Sequence, residues 1–340
     1  MINLNKILII RMSSIGDIIL TTALIRCVRS KFPEAQIDFL VKKQFYEVVQ
    51  YNPHLSNILI FEKGKKLKEL RQQIKQENYD WIIDIHQNIR SLYLKTGLHI
   101  PLKTGFSKKL FQRTLLVNLG INIYREAKPV VLRYFESVEK QGVKYDNAGT
   151  EVFVPTEKVE AMKRKLLQSG YTPDKNLLVI SPGASFTNKR WLTEGFAHVA
   201  GNLIAEKNGF IAFIGGKNDV LLCNEIQKMM SAETVNFAGE FSLLDSAALL
   251  SLCTAFIGND SGMLHLAQAF KKPVVGIYGP TVKELGYFPM EVNSMVVEKP
   301  VSCRPCTHMG LDHCPKKHFH CMNTIDSADV IEAVNTLLPD

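Results

Sequence analysis

The sequence predicts an α/β protein made of two doubly wound domains in tandem. Three observations carry this expectation. Short β-rich runs alternate with helical patterns along the whole chain, the alternation restarts after a polar stretch near the middle, and 340 residues are long for one domain but comfortable for two. In the first half, strands are expected at Lys6 to Arg11, Gln36 to Val41, Asn57 to Phe61 and Asp80 to Ile85. Helical patterns fall at Asp17 to Lys31, Lys43 to Tyr51, Lys66 to Glu77 and Asn88 to Leu98. The basic stretch Lys103 to Arg125 is less regular and reads as a loop.

Lys144 to Thr150 and Pro155 mark the boundary, giving domains at 1–155 and 156–326. After a helix at Glu157 to Gln168, strands are expected at Asn176 to Ser181, Phe210 to Ile214, Thr234 to Phe237, Ala255 to Ile257 and Pro273 to Tyr278. The intervening helices are Glu194 to Glu206, Asp219 to Met230, Leu243 to Leu252 and Gly262 to Phe270. A last helical pattern, Ser327 to Leu338 within 327–340, could reach back to the first domain.

Hydrophobic residues make up 46% and charged residues 22%, the balance of an ordinary soluble globular protein. No apolar run approaches the roughly 18 residues of a membrane span. The opening Met1 to Met12 has too short an apolar core for a signal peptide and lacks a small-residue cleavage site, so a cytoplasmic protein is expected. A net charge of +8 points to acidic company. Lys63, Lys65, Lys66, Lys68, Arg71 and Lys75 form one basic cluster, and Lys103, Lys108, Lys109 and Arg113 another. The first suits a solvated helix face, with an anionic membrane surface or acceptor as the other reading. Nucleic-acid binding asks for interleaved aromatics and a basic stripe, and neither is evident.

The stretch Cys253 to Phe270 carries the most chemistry. Ala255 to Gly258 reads as a buried strand, Asn259, Asp260, Ser261 and Gly262 as turn and cap, and Met263 onward as a helix. The first amides of such a helix have no partner within it, and its dipole favours an anion, so a diphosphate can dock there. The alternative is that Asp260 and Ser261 only cap the helix. The loop Ser181-Pro-Gly-Ala-Ser-Phe-Thr-Asn-Lys-Arg-Trp191 brings two cations and small residues that suit a phosphate. In the first half the matching loop is Arg11-Met-Ser-Ser-Ile-Gly-Asp17, whose single glycine does not fit the dinucleotide fingerprint.

Cys27, Cys223 and Cys253 sit in apolar patterns and read as buried thiols. Cys303, Cys306, Cys314 and Cys321 follow the spacing C-x2-C-x7-C-x6-C, which invites a structural zinc. The second half of that pattern lacks a close ligand pair, so a disulfide or unlinked thiols in a packed loop stay open.

These pieces together resemble the heptosyltransferase-like glycosyltransferases, glycosyltransferase family 9, which move ADP-activated heptose onto the lipopolysaccharide inner core. The islands that carry the resemblance are Arg11 to Asp17, Ser181 to Ser185 with Lys189-Arg-Trp191, Gly215-Gly-Lys-Asn-Asp219, and Asn259 to Ala267 with Tyr278-Gly-Pro-Thr281. The resemblance implies a GT-B fold, two Rossmann-like domains facing across a cleft, with acceptor bound in the first and donor in the second. It implies inversion by direct displacement with Asp17 as base. Asp17 as a first-turn helix acid is the plainer alternative. Lys189 is then expected on the departing diphosphate, and Ser13, Ser14 and Gly16 at the acceptor. Ser181, Gly183, Ser185, Asn218, Asp260, Ser261, Gly262, Met263 and His265 are expected around the donor. His265, inside the helix, reads as a packed supporting residue. Asn218 and Asp219 stand where some relatives carry a glutamate for the donor ribose.

The sequence has no D-x-D pair, so cations and backbone amides are expected to meet the diphosphate charge and no cofactor is expected for catalysis. The implied partners are an ADP-sugar and a lipid-linked anionic glycan, with peripheral contact at the inner membrane and no nucleic acid. A transferase of this family with another donor or acceptor, and a nucleotide-sugar epimerase or hydrolase, are the rival readings.

Overall fold

The computed structural model describes residues 4–339 apart from 63, 65 and 233, so Lys63 and Lys65 of the first basic cluster lie outside the described residues. The chain divides into two compact units, one of residues 1–110 and 128–153, the other of 111–127 and 154–340.

The first unit holds a parallel sheet of β1 (Lys6–Ile10), β2 (Gln36–Lys42), β3 (Asn57–Phe61), β4 (Trp81–Asp84) and β5 (Leu102–Gly105), in the order β3-β2-β1-β4-β5. Its helices are α1 (Ile15–Lys31), α2 (Leu67–Glu77), α3 (Ile89–Lys95) and α5 (Val130–Phe135). The next helix in chain order after α3, α4 (Leu110–Leu119), falls mostly in the second unit. The central strand Lys-Ile-Leu-Ile-Ile is apolar on both faces because both are covered. Leu8 and Ile10 pack with Leu70 and Ile74 of α2 and Leu94 of α3, and Ile7 and Ile9 are equally buried.

The second unit repeats the plan with β6 (Asn176–Ser181), β7 (Gly209–Phe213), β8 (Val235–Asn236), β9 (Ala255–Asn259), β10 (Val274–Tyr278) and β11 (Ser294–Glu298). The order β11-β10-β9-β6-β7-β8 is that of a dinucleotide-binding sheet, all parallel. Between and after the strands run α6 (Thr156–Gln168), α7 (Thr193–Glu206), α8 (Val220–Lys228), α9 (Leu243–Leu252), α10 (Gly262–Ala269), α11 (His320–Asn323) and α12 (Ser327–Leu337). Leu178, Ile180, Ile211 and Phe213 of the sheet bury against Phe196, Val199 and Leu203 of α7 and Ile226 of α8.

The structure departs from the sequence reading in several places, among them the unexpected short helices α5 and α11. Lys43 to Tyr51 is not an α-helix but a short 3-10 turn, Lys43–Val48, with Asn52-Pro53 following close behind. The stretch Lys103 to Arg125 is not wholly irregular: it supplies the edge strand β5 and helix α4. The half-exposed edge strand β11 carries too mixed a pattern to be read from Ser-Met-Val-Val-Glu. The stripe Val330, Ala333 and Val334 of α12, a helix that could have returned to the first domain, is buried in the second core instead.

Candidate active site

In the second sheet the strand order reverses between β6 and β9, and the loops leaving their carboxyl ends lie at that point, where such sheets hold ligands. Asn259, the last residue of β9, is fully buried and fixes the loop of the neighbouring strand. Its Nδ2 donates to the Pro182 carbonyl at 2.7 Å and its Oδ1 accepts from the Trp191 amide at 3.1 Å. One side chain thereby closes 182–191 at both ends. Asn259→Ala removes both bonds inside a buried loop and is expected to cost about 2–4 kcal/mol. Urea unfolding of the folded variant checks this, and an unchanged midpoint contradicts it.

The loop so fixed carries Lys189 to the start of α10. Lys189 Nζ lies 2.6 Å from Asp260 Oδ2, and Thr281 Oγ1 donates to the same oxygen at 2.7 Å. The Lys189 side chain is 13% exposed and that of Asp260 7%, so water screens the pair little. An ammonium has three donors, and this contact uses one. Ser261, the N-cap of α10, makes no side-chain cap bond, and its buried Oγ has no partner among the described residues. The first-turn amides, beginning with Gly262 and Met263, are therefore left without a capping oxygen from Ser261. A lysine beside an uncapped helix start can hold a diphosphate.

Several neighbours support that geometry. Nε and Nη2 of Arg190 both donate to the Ala184 carbonyl, at 3.0 and 2.9 Å, and Nη2 stands 3.5 Å from Asp219 Oδ1. Of the two loop cations, Arg190 thus braces the backbone. A Cβ at Gly183 would lie 2.4 Å from Asp219 Cγ, so only glycine lets the loop pass this carboxylate. Ser181 is buried at the end of β6, whereas Ser185 and Asn218 are exposed. His265 is buried in α10 with Nδ1 3.3 Å from Gln268 Oε1, as a packed supporting histidine would be.

In the first unit the strand order reverses between β1 and β4, and Asp17 sits in the first turn of α1 beside that point. Its carboxylate is nine-tenths buried. Oδ1 meets Arg11 Nη2 at 2.5 Å and accepts from the Tyr134 hydroxyl at 3.1 Å. Oδ2 accepts from the Ser14 hydroxyl at 2.8 Å and the Ser14 amide at 3.2 Å. Burial works to raise its pKa, but the Arg11 charge and the hydrogen bonds from Arg11 and Ser14 outweigh it and bring the value down to about 2. Arg11 is held in turn by Nη1 donating to the Ile85 carbonyl at 2.6 Å and by the Tyr134 ring, 5.7 Å below its guanidinium. Ser13 and Ser14 stand at the surface of this loop and Gly16 is buried.

His86, after β4, was not singled out by sequence. Burial first, then the Arg11 charge, lowers its pKa to about 4, so a neutral imidazole stands close to the Asp17 pair at neutral pH. Tyr134 also escaped notice, since it is 117 residues from Asp17 and lies on a six-residue helix. Arg11 left a signal: an arginine ending an all-apolar strand needs a buried anion.

The tail cysteines are all free thiols. Cys303 Sγ lies 3.8 Å from His318 Nε2, while Cys321 is buried in the second core beside Met322 and Ile325. Among the described residues no three ligating side chains are gathered as a metal ion needs, and no disulfide joins the four thiols. The four thiols nevertheless stay within electrostatic reach of one another: burial first, then Cys303 and Cys314, pushes the Cys306 thiol up, and burial with Cys306, Cys303 and Cys314 does the same to Cys321.

The model of glycosyltransferase family 9 (heptosyltransferase) matches residues 67–317. Lipooligosaccharide heptosyltransferase 2 of Campylobacter jejuni is 28% identical over 332 residues, covering 95% of each chain. A family 9 glycosyltransferase structure from Veillonella parvula superposes with a TM-score of 0.82 at 24% identity, covering 99% of this chain and 98% of that one. The structure of E. coli ADP-heptose lipopolysaccharide heptosyltransferase II gives 0.77 at 22%, with 98% of each chain covered. These likenesses establish the fold expected of GT-B enzymes in both of its parallel-sheet domains.

Proposed function

The chain belongs to glycosyltransferase family 9, the heptosyltransferases, and from that premise we propose that it transfers heptose from ADP-heptose to the inner core of lipopolysaccharide. The observation that carries the reading is Lys189, fixed 2.6 Å from Asp260 at the uncapped start of α10. The relatives' names support the sugar and the acceptor, and the lysine beside the uncapped start of α10 supports a nucleotide diphosphate in the second unit.

The chemistry that fits is a single displacement with inversion. The acceptor hydroxyl oxygen bonds to the anomeric carbon while the bond from that carbon to the β-phosphate oxygen breaks, and ADP leaves with the electron pair. Lys189 and the amides of Gly262 and Met263 meet the charge that grows on the leaving oxygen. No D-x-D pair is present to hold a divalent ion, so these groups are assigned its role. Asp17 takes the hydroxyl proton. Its low basicity suits a late transfer, because an oxygen already bonding to an electron-poor carbon gives up its proton readily. Ser13, Ser14 and Gly16 are assigned to the acceptor. Ser181, Gly183, Ser185, Asn218, Ser261 and His265 form or support the donor pocket. Asp260 holds Lys189 in place.

The acceptor is lipid-linked and anionic, and we take the enzyme to reach it from the membrane surface. Among the described residues no helix is long and apolar enough to cross a membrane.

Thermal-shift measurement tests the donor. ADP and ADP-heptose are expected to raise Tm by several degrees, in EDTA as well as in magnesium, because a ligand bound only by the folded state stabilises it. A larger shift with a UDP-, GDP- or CMP-sugar points to another donor in the same family, and a shift that requires magnesium overturns the metal-free reading.

A further inference from the structure

The cysteine-rich stretch from Cys303 to Cys321 follows the last strand, β11, and its middle is joined to the loop that carries Lys189. Asn188, the residue before that lysine, is 2% exposed. Its amide donates to the Leu311 carbonyl at 3.1 Å and its Oδ1 accepts from the Leu311 amide at 2.8 Å, a two-way pairing across 123 positions of chain. Phe186 makes a second contact. A Cβ at Gly310 would lie 2.4 Å from its Cδ2, so the ring rests directly on the bare backbone there. Thr307 gives the segment its own shape: its Oγ1 accepts from the Met309 and Gly310 amides at 3.2 and 3.0 Å and donates to the Gly310 carbonyl at 3.2 Å.

The middle of the Lys189 loop needs such support. Asn259 holds 182–191 at its two ends, while between them the 3-10 turn Thr187–Lys189 is closed by short-range bonds, from the Lys189 amide to the Phe186 carbonyl and from the Arg190 amide to the Thr187 carbonyl. Bonds of this kind have poorer geometry than those of an α-helix, and a side chain is placed no better than the backbone beneath it. Asn188 is also a poor choice for packing alone. Its Nδ2 is buried with no partner among the described residues, a desolvation cost that an apolar side chain would avoid. What the asparagine adds is the Leu311 contact, and with it the place of the next residue. We propose that Asn188, held by the segment 307–311, positions Lys189 against the donor diphosphate, which gives the cysteine-rich stretch a part in the donor site. The inference rests on the role assigned to Lys189 in the proposed function. A misplacement of about 1 Å can cost up to about 10²-fold in rate without the loss of any contact made by the displaced anchor itself.

The test is a mutant cycle read in turnover. Asn188→Ala removes the Oδ1 acceptor, and Thr307→Val loosens the 307–311 turn from its far side while keeping the volume of the side chain. Each is expected to lower kcat roughly tenfold in the parent, with donor KM changed less than about threefold. In a chain that already carries Lys189→Ala and Asp260→Asn, the same changes are expected to alter kcat less than about twofold, because no ammonium is left to misplace. Their effect on the urea midpoint is expected in both backgrounds alike, which separates positioning from general weakening. An equal loss of kcat in both backgrounds, or an unchanged kcat in the folded variants, overturns the proposal. Should Asn188→Ala fail to fold, Thr307→Val, which leaves the sequence of the Lys189 loop intact, decides by itself. The cycle compares ratios, so it is read on whichever nucleotide sugar the chain transfers. Coupling seen with a UDP- or GDP-sugar contradicts only the functional reading, and heptose transfer without coupling contradicts only the positioning role.

Discussion

Asp17→Asn is expected to lower kcat roughly 10²- to 10⁴-fold while changing the affinity for ADP less than threefold. Asparagine keeps the size of the side chain and its place in the first turn of α1, but cannot take the acceptor proton. The complication is structural, since Asp17 is also the anion that Arg11 is buried against. Leaving that guanidinium without its partner costs about 3–5 kcal/mol, a large share of the ordinary margin of about 5–15 kcal/mol. Folded variant must therefore be shown by calorimetry before turnover is read. Tyr134→Phe supplies the control, because it removes the 3.1 Å bond to Oδ1 and leaves the carboxylate charged. It is expected to cost about 1 kcal/mol and less than tenfold in kcat. If Tyr134→Phe loses as much turnover as Asp17→Asn, or if folded Asp17→Asn turns over like the parent, Asp17 is not the base.

The same contacts set a pH dependence. The carboxyl titrates near 3.8 when free and is drawn down to about 2 in the folded protein, so folding favours its ionised form. The stabilisation, of the order of 2 kcal/mol, is fully present above about pH 4 and fades as pH falls through 2. Between pH 5 and 8 Asp17 stays ionised and His86, with its pKa near 4, stays neutral. Neither residue then contributes an acidic limb to the rate profile in that range.

Much of this was legible in the sequence because parallel sheets write themselves as uninterrupted apolar runs. Lys6 to Ile10 and Ala255 to Asn259 are covered on both faces and could be read almost to the residue. Edge strands are covered less and mix their side chains, which is why β11 left no clear trace. The pairing of strands was less visible than their existence. Which loops share a switch point depends on the order of the strands, so the closure of 182–191 by Asn259 appears only with the fold. The loop around Lys189 and the turn at Asp260 could be nominated separately from residue type and position. Their ion pair could not, and neither could the closing of the Arg11 and Asp17 pair by Tyr134, which comes from 117 residues away.

Lys189→Ala is expected to reduce kcat roughly 10²- to 10³-fold, with a smaller rise in donor KM, because the ammonium interacts most strongly with the leaving oxygen once charge has built up there. The variant also strands Asp260. That carboxylate would keep only the Thr281 hydroxyl on its Oδ2, in a setting too buried for water to replace the lost cation. Stability is expected to fall by about 3–5 kcal/mol, and part of any activity loss could be attributed to that alone. A double-mutant cycle with Asp260→Asn separates the two effects. Neutralising Asp260 removes the orphaned charge, so Lys189→Ala, Asp260→Asn is expected to recover most of the lost stability. Its turnover should stay as low as that of Lys189→Ala, since no cation has been restored to the diphosphate. Lys189→Arg keeps the charge but spreads it over a planar fork, and is expected to recover part of the rate. If the double variant regains turnover together with stability, Lys189 serves only to neutralise Asp260. The leaving-group charge would then fall to the amides of α10 alone.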